Sequence, residues 1–96
     1  MKLEFSRRAL VDLRMIAEEA GVFGREARQG LELRLQQVSA RIASQPNEAR
    51  EVVQRPRVRV LPLVRYPYKV FYRVRFDSVL ILHIRHAARR PWVGRS

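Results

Sequence analysis

The chain reads as an α+β two-layer sandwich: a helical hairpin laid on a mostly antiparallel four-stranded sheet, in the order β-α-α-β-β-β. Three observations predict this. Apolar residues recur at helical spacing in the first half, as in Ala27, Leu31, Leu35, Val38 and Ile42. From Arg57 onward the pattern changes to alternation through three strand-length runs that end near Arg85. The strands are grouped rather than interleaved with helices, which argues against a parallel α/β sheet. At 96 residues the chain makes one domain, residues 1–96.

Taken in order, Lys2 to Phe5 is a short first strand. Ser6 has the chemistry to cap the helix that follows by accepting from an orphan amide. Leu10, Leu13, Ala17 and Ala20 form that helix's expected apolar stripe, and Gly21 should stop it. A tight Gly-Val-Phe-Gly link leads to a second helix from about Arg25 to Ser44, ended by Pro46, because proline disfavours helical geometry in the residue before it. Asn47 to Pro56 is polar and unpatterned and reads as a loop. Three strands follow, with Pro62 and Pro67 bracketing the first connection and Phe76-Asp77-Ser78 turning the second. Ala87 to Ser96 is a basic tail without periodicity.

Alternation assigns faces. Val58 and Val60, then Val70, Tyr72 and Val74, then Leu80, Leu82 and Ile84 are expected on the core side. Arg57 and Arg59, Lys69, Arg73 and Arg75, and His83 and Arg85 fall on the other, with Phe71, Val79 and Ile81 among them by parity. Charge is distributed accordingly: residues 1–50 carry nine Lys/Arg and seven Asp/Glu, residues 51–96 eleven and two. Arginine outnumbers lysine eighteen to two, which favours bidentate recognition of carboxylates or phosphates over diffuse attraction. Like charges on neighbouring strands repel, so the surface calls for an acidic cover. The absence of cysteine excludes disulfides, thiol catalysis and cysteine–zinc sites. No long apolar run suggests a membrane span, and Met1-Lys2 leads into patterned sequence rather than a signal peptide, so a cytoplasmic protein is expected.

Several motifs carry a family resemblance across nearly the whole chain. They are Ser6-Arg7-Arg8-Ala9 with Asp12-Leu13, Ser44-Gln45-Pro46, Val58 to Pro62, Tyr66-Pro67-Tyr68 to Val74, and His86 to Pro91. In this order and spacing the chain resembles the toxins of the RelE/ParE superfamily and leans to the ParE branch. The resemblance implies a toxin of a type II toxin–antitoxin module. It would be held inactive in a hetero-oligomeric complex by a ParD-like antitoxin with an acidic, flexible tail, with DNA gyrase as target and plasmid stabilization and growth arrest as the setting. RelE-like relatives instead cut mRNA on the ribosome, using basic sheet residues and a proton-transferring residue near the C-terminus.

The residues weigh these alternatives unevenly. Cleaving RNA through its own 2′-OH needs a proton acceptor, cations for the phosphorane and an acid for the leaving oxygen. For a nuclease the candidates are Arg73, Arg75, His83, Arg85 and His86, with Arg59 as a further cation. The two histidines, three apart on one strand, point to opposite faces and form neither an acid/base pair nor a zinc site. The tail offers Trp92, whose indole does not exchange a proton in a useful range. Tyr66, Tyr68 and Tyr72 fit core and turn packing better than a base-stacking platform. A binding surface for antitoxin or target is therefore expected over Arg57, Arg59, Lys69, Phe71, Arg73, Arg75, His83, Arg85, Arg89, Arg90 and Trp92, with Arg95 extending the terminal charge, and no cofactor or metal. The reading is a gyrase-binding toxin. A ribosome-dependent endonuclease is the alternative, and a small non-toxic nucleic-acid-binding module is a third.

Overall fold

In the computed structural model, which describes residues 1–87, β1 (Lys2–Phe5) leads into α1 (Arg7–Gly21) through Ser6. Ser6 is extended, with φ −67° and ψ 163°, and its Oγ accepts the N–H of Ala9 at 3.0 Å while donating to the carbonyl of Leu82 at 2.6 Å. One hydroxyl thus caps the helix and ties it to the sheet. The turn to α2 (Arg25–Ser44) passes through Gly24 at φ 106°, a conformation that a Cβ would strain. Leu31, Val38 and Ile42 of α2 are buried, with Ala27 and Leu35 half-buried beside them, as their spacing predicts.

The buried face of α1 differs from the expected stripe. Leu10 is 55% exposed, and the inward positions are Ala9, Asp12 and Ile16, flanked by Leu13 and Ala20. Asp12 sits at the centre of that face because its Oδ2 accepts the backbone N–H of Ile84 at 3.0 Å. A carboxylate in the middle of the seam is invisible to a hydrophobic pattern.

The sheet has five strands in the order β1-β5-β4-β3-β2, formed by β1, β2 (Arg50–Val52), β3 (Arg55–Pro62), β4 (Tyr68–Val74) and β5 (Ser78–His86). Among the described residues only the β1–β5 pair is parallel. The extra strand, β2, comes from the segment expected to be loop, turned back on β3 through Val53 and Gln54. It is only three residues long and carries no alternation of its own. Helices cover one face of the sheet, where Ile16, Leu31 and Ile42 meet Val70, Tyr72, Val79, Ile81 and Ile84. Each fully buried aliphatic among them contributes about 1.5–3 kcal/mol of transfer free energy.

β3, and the first half of β5, present faces opposite to those expected, whereas His83, Ile84 and Arg85 face as expected. Antiparallel partners share a face, and β3 pairs Arg59 with Tyr72 and Val60 with Phe71. Arg59 therefore lies on the helix side, 21% exposed, and Val58 and Val60 lie on the open side with Phe71. Arg59 reaches down to donate to the carbonyls of Asn47 at 3.2 Å and Ala49 at 2.5 Å, and lies 3.5 Å from Glu51. Tyr72 anchors the same segment by donating to the Pro46 carbonyl at 2.8 Å. On β5, Tyr72 faces Ile81 while its neighbour Phe71 faces His83, so Leu82 is an extra, bulged residue. The bulge puts Val79 and Ile81 in the core with Ile84, and leaves Leu80 and Leu82 half-buried.

Candidate functional site

The open face is organised in cross-strand rows over β3, β4 and β5. Val60, Phe71 and His83 form the central row; Val58, Arg73 and Leu80 lie on one side, and Pro62, Lys69 and Arg85 on the other. Its middle is therefore apolar and aromatic, with cations around it, rather than uniformly cationic. Val58 and Val60 are 1% and 4% exposed although neither α1 nor α2 covers this side. The turn between β2 and β3, at Val53 and Gln54, together with Arg50, Arg55, Lys69 and Arg85 around Val60 and Phe71, bounds a cleft of about 560 Å³. Among the described residues no carboxylate lines it. Four cations around a concave floor concentrate positive potential there.

Phe71 and His83 stack, with ring centroids 4.5 Å apart and an interplanar angle of 14°. Nη1 of Arg55 donates to Nε2 of His83 at 2.8 Å, which assigns the imidazole as neutral with its proton on Nδ1. Burial, and then the charges of Arg55 and Arg85, push the His83 pKa down to about 4. At neutral pH the ring is uncharged and its basic nitrogen is occupied. It serves as a flat surface better than as a proton carrier.

His86 lies on the other side of the sheet. It pairs with Tyr68 across β4 and β5, on the face of Val70 and Tyr72, and its ring meets that of Tyr68 at 5.3 Å and 77° while bordering the cleft. The two histidines are thus separated, as their spacing predicts. Arg75 falls beyond the end of β4, where its Nη1 lies 3.5 Å from Oε1 of Glu4 on the edge strand β1. Arg57 is exposed at the kink of β3 with φ 70°, a left-handed conformation that costs roughly 1–2 kcal/mol for a residue with a Cβ. Of the expected surface, Lys69, Phe71, Arg73, His83 and Arg85 share the open face, whereas Arg59 does not. Arg89, Arg90, Trp92 and Arg95 lie outside the described residues.

Arg50 and Arg55 were missed because they fall in the segment read as loop. A signal for the β3 inversion was present. Leu61 and Leu63 share parity with Arg59, so either choice of face leaves two aliphatics on the open side. The tyrosines keep to packing: Tyr72 is 1% exposed, Tyr68 lies against the core, and the Tyr66 hydroxyl passes over Gly30, where a Cβ would stand 2.7 Å from it.

A helical hairpin over one face of a mostly antiparallel sheet places the chain in the fold group of the known ParE and RelE toxins. Within it, the chain belongs to the ParE toxin family of type II toxin–antitoxin systems, parDE, whose sequence pattern matches residues 3–91. The fold is similar to the chromosomal ParDE toxin–antitoxin system from P. aeruginosa. There the identity is 27%, the match covers 90% of this chain and 95% of that one, and the TM-score is 0.75. The isolated E. coli RelE toxin is 23% identical over 93% of this chain and 86% of that one, with a TM-score of 0.63. A chain of the intact E. coli RelBE toxin–antitoxin complex is 23% identical over 92% of this chain and 98% of that one, at the same TM-score of 0.63. No curated protein matches the chain. Among the described residues no helix is long and apolar enough to cross a membrane.

Proposed function

We propose that this toxin acts by binding DNA gyrase in the cytoplasm and is held inactive by an acidic-tailed antitoxin in a heteromeric complex, in a module that stabilises its replicon. One observation carries the choice of binding over RNA cleavage. The histidine at the centre of the open face is neutral, stacked on Phe71 and hydrogen-bonded through its basic nitrogen to Arg55. A pKa of about 4 makes it a poor general base near pH 7 and leaves it no proton of useful acidity to give. The apolar centre of Val60 and Phe71 within a ring of Arg50, Arg55, Lys69 and Arg85 suits a protein surface carrying carboxylates. Antitoxin and target contacts are assigned to these residues together with Arg73 and His83.

Ribosome-dependent mRNA cleavage is the second reading, favoured by the four cations around the cleft, which would also grip a phosphate backbone. The decisive experiment runs both activities with the purified protein. Inhibition of supercoiling or trapping of cleaved DNA–gyrase complexes, with no cutting of mRNA on translating ribosomes, supports gyrase binding. Codon-positioned cuts that fall roughly 10²–10⁴-fold in His83→Ala or His86→Ala, with gyrase unaffected, would reverse the assignment.

A further inference from the structure

β1 is an edge of the sheet, with β5 on one side only. Ser6, next along the chain, donates its N–H to the Ile81 carbonyl at 3.0 Å. Backbone groups on a strand alternate in direction, so Glu4 also bonds towards β5, and the N–H and C=O of Leu3 and Phe5 point away from it. The side chains alternate as well. Leu3 and Phe5 lie beside Val79 and Ile81 on the helix side, and Lys2 and Glu4 beside Ser78 and Leu80 on the open side. Two apolar residues of this segment remain open to solvent, Phe5 at 37% and Met1 at 50%. Next to the strand runs a groove of about 670 Å³ whose apolar wall is made by Leu3, Leu13, Leu35 and Ala40.

Charged side chains commonly guard such an edge against a foreign strand, but Lys2 and Glu4 complement themselves. We propose that β1 pairs antiparallel with β1 of a second copy of this chain, across a two-fold axis at Leu3, joining two sheets of five strands into one. In this register the two Leu3 residues exchange their outward N–H and C=O groups, and each Phe5 N–H donates to the Met1 carbonyl of the other copy. That carbonyl is available because Met1 is tied down through its amine, which donates to the Ala43 carbonyl at 2.9 Å. On the helix side Met1 meets Phe5 and Leu3 meets Leu3, which extends the apolar wall of the groove. On the open side Lys2 meets Glu4 twice. Arg75 Nη1 at 3.5 Å and Ser78 Oγ at 3.4 Å both reach Oε1 of Glu4, and neither takes Oε2. Other registers fail. A shift of one residue sets outward-pointing groups against inward-pointing ones, and a shift of two sets Glu4 opposite Glu4 or Lys2 opposite Lys2. So short a strand pair buries less than the roughly 1,200 Å² of a stable complex, so the association is weak and concentration-dependent. β2 and the turn that bounds the cleft lie at the far edge of each sheet, so pairing leaves both clefts open.

Sedimentation velocity of the full chain over a concentration series, up to about 200 µM, tests this. Wild type is expected to shift reversibly from monomer to dimer, and hydrogen exchange of the Leu3 and Phe5 amides should slow as the dimer forms. Phe5→Pro removes an outward donor without touching a bond to β5 and should weaken self-association by about tenfold or more. Lys2→Glu and Glu4→Lys each set like charges opposite one another and should weaken it alone. An equimolar mixture of these two variants should associate as wild type does, since the hetero-pair restores both opposite-charge contacts. Circular dichroism melting verifies that each variant is folded. A wild type that stays monomeric throughout, a Phe5→Pro variant that dimerises unchanged, or a mixture no better than its components would overturn the proposal. If wild type is monomeric and Phe5→Pro instead weakens capture by the antitoxin, the edge takes a strand of the antitoxin and the proposal fails.

Discussion

Oδ2 of Asp12 accepts the backbone N–H of Ile84 at 3.0 Å, while Oδ1 of the same carboxylate accepts from Nε of Arg8 at 3.0 Å. The strand β1 pairs with β5 only as far as Ile81, so beyond that point the edge of β5 needs other partners. Ser6 supplies them at Ile81 and Leu82, and Asp12 at Ile84. The first two turns of α1 therefore stand in for a missing stretch of parallel strand.

Removing that carboxylate should expose how much the edge depends on it. Asp12→Ala leaves a buried amide without a partner and should destabilise the fold by about 1–3 kcal/mol. Asp12→Asn keeps an acceptor and should cost less. Urea denaturation of the two variants measures the difference, and equal losses would point to the ion pair with Arg8 rather than to the amide.

Two arginines that alternation places together should behave differently. Arg59→Ala removes donors from the Asn47 and Ala49 carbonyls and should cost about 1–3 kcal/mol. Arg73→Ala, exposed on the open face, should change stability by no more than about 0.5 kcal/mol while weakening partner capture. Thermal melts paired with antitoxin pull-down separate the two effects.

Lowering the pH should cost stability through His83. Its folded pKa of about 4 lies below the ordinary 6.5, so between these values the unfolded chain takes up a proton that the folded chain refuses. This contribution is fully present above about pH 6.5 and is lost as pH falls towards 4. The urea midpoint should therefore drop more steeply in wild type than in His83→Gln across that window. A parallel pH dependence in the two proteins would argue against a neutral, partly buried imidazole.

The bulge at Leu82 can be read out from neighbouring positions. Ile81→Ala empties a fully buried site and should cost about 2–5 kcal/mol, whereas Leu80→Ala, half-buried on the open side, should cost clearly less. Chemical denaturation of the pair checks this, and the reverse order would mean that β5 runs without the bulge.

The order of elements, the Ser6 cap, the limits of both helices, the buried stripe of α2 and the concentration of arginine in the sheet were all legible in the chain itself. Each depends on residues within a few positions of one another, through helical spacing, local capping or composition. Tertiary structure alone decided which side of β3 meets the helices. Val58 and Val60 and the pair Leu61 and Leu63 have opposite parity, and the choice follows from the long Arg59 side chain reaching carbonyls ten or more residues away. On β5 the run Val79 to Leu82 is apolar without a break, so alternation holds no information there, and the bulge is defined only by pairing with β4. The cleft likewise needs β2, a strand of three residues that exists because β3 offers it an edge. Asp12 shows the same limit from the polar side: its place in the core depends on an amide that lies 72 positions further along the chain and reaches it only when the sheet has formed.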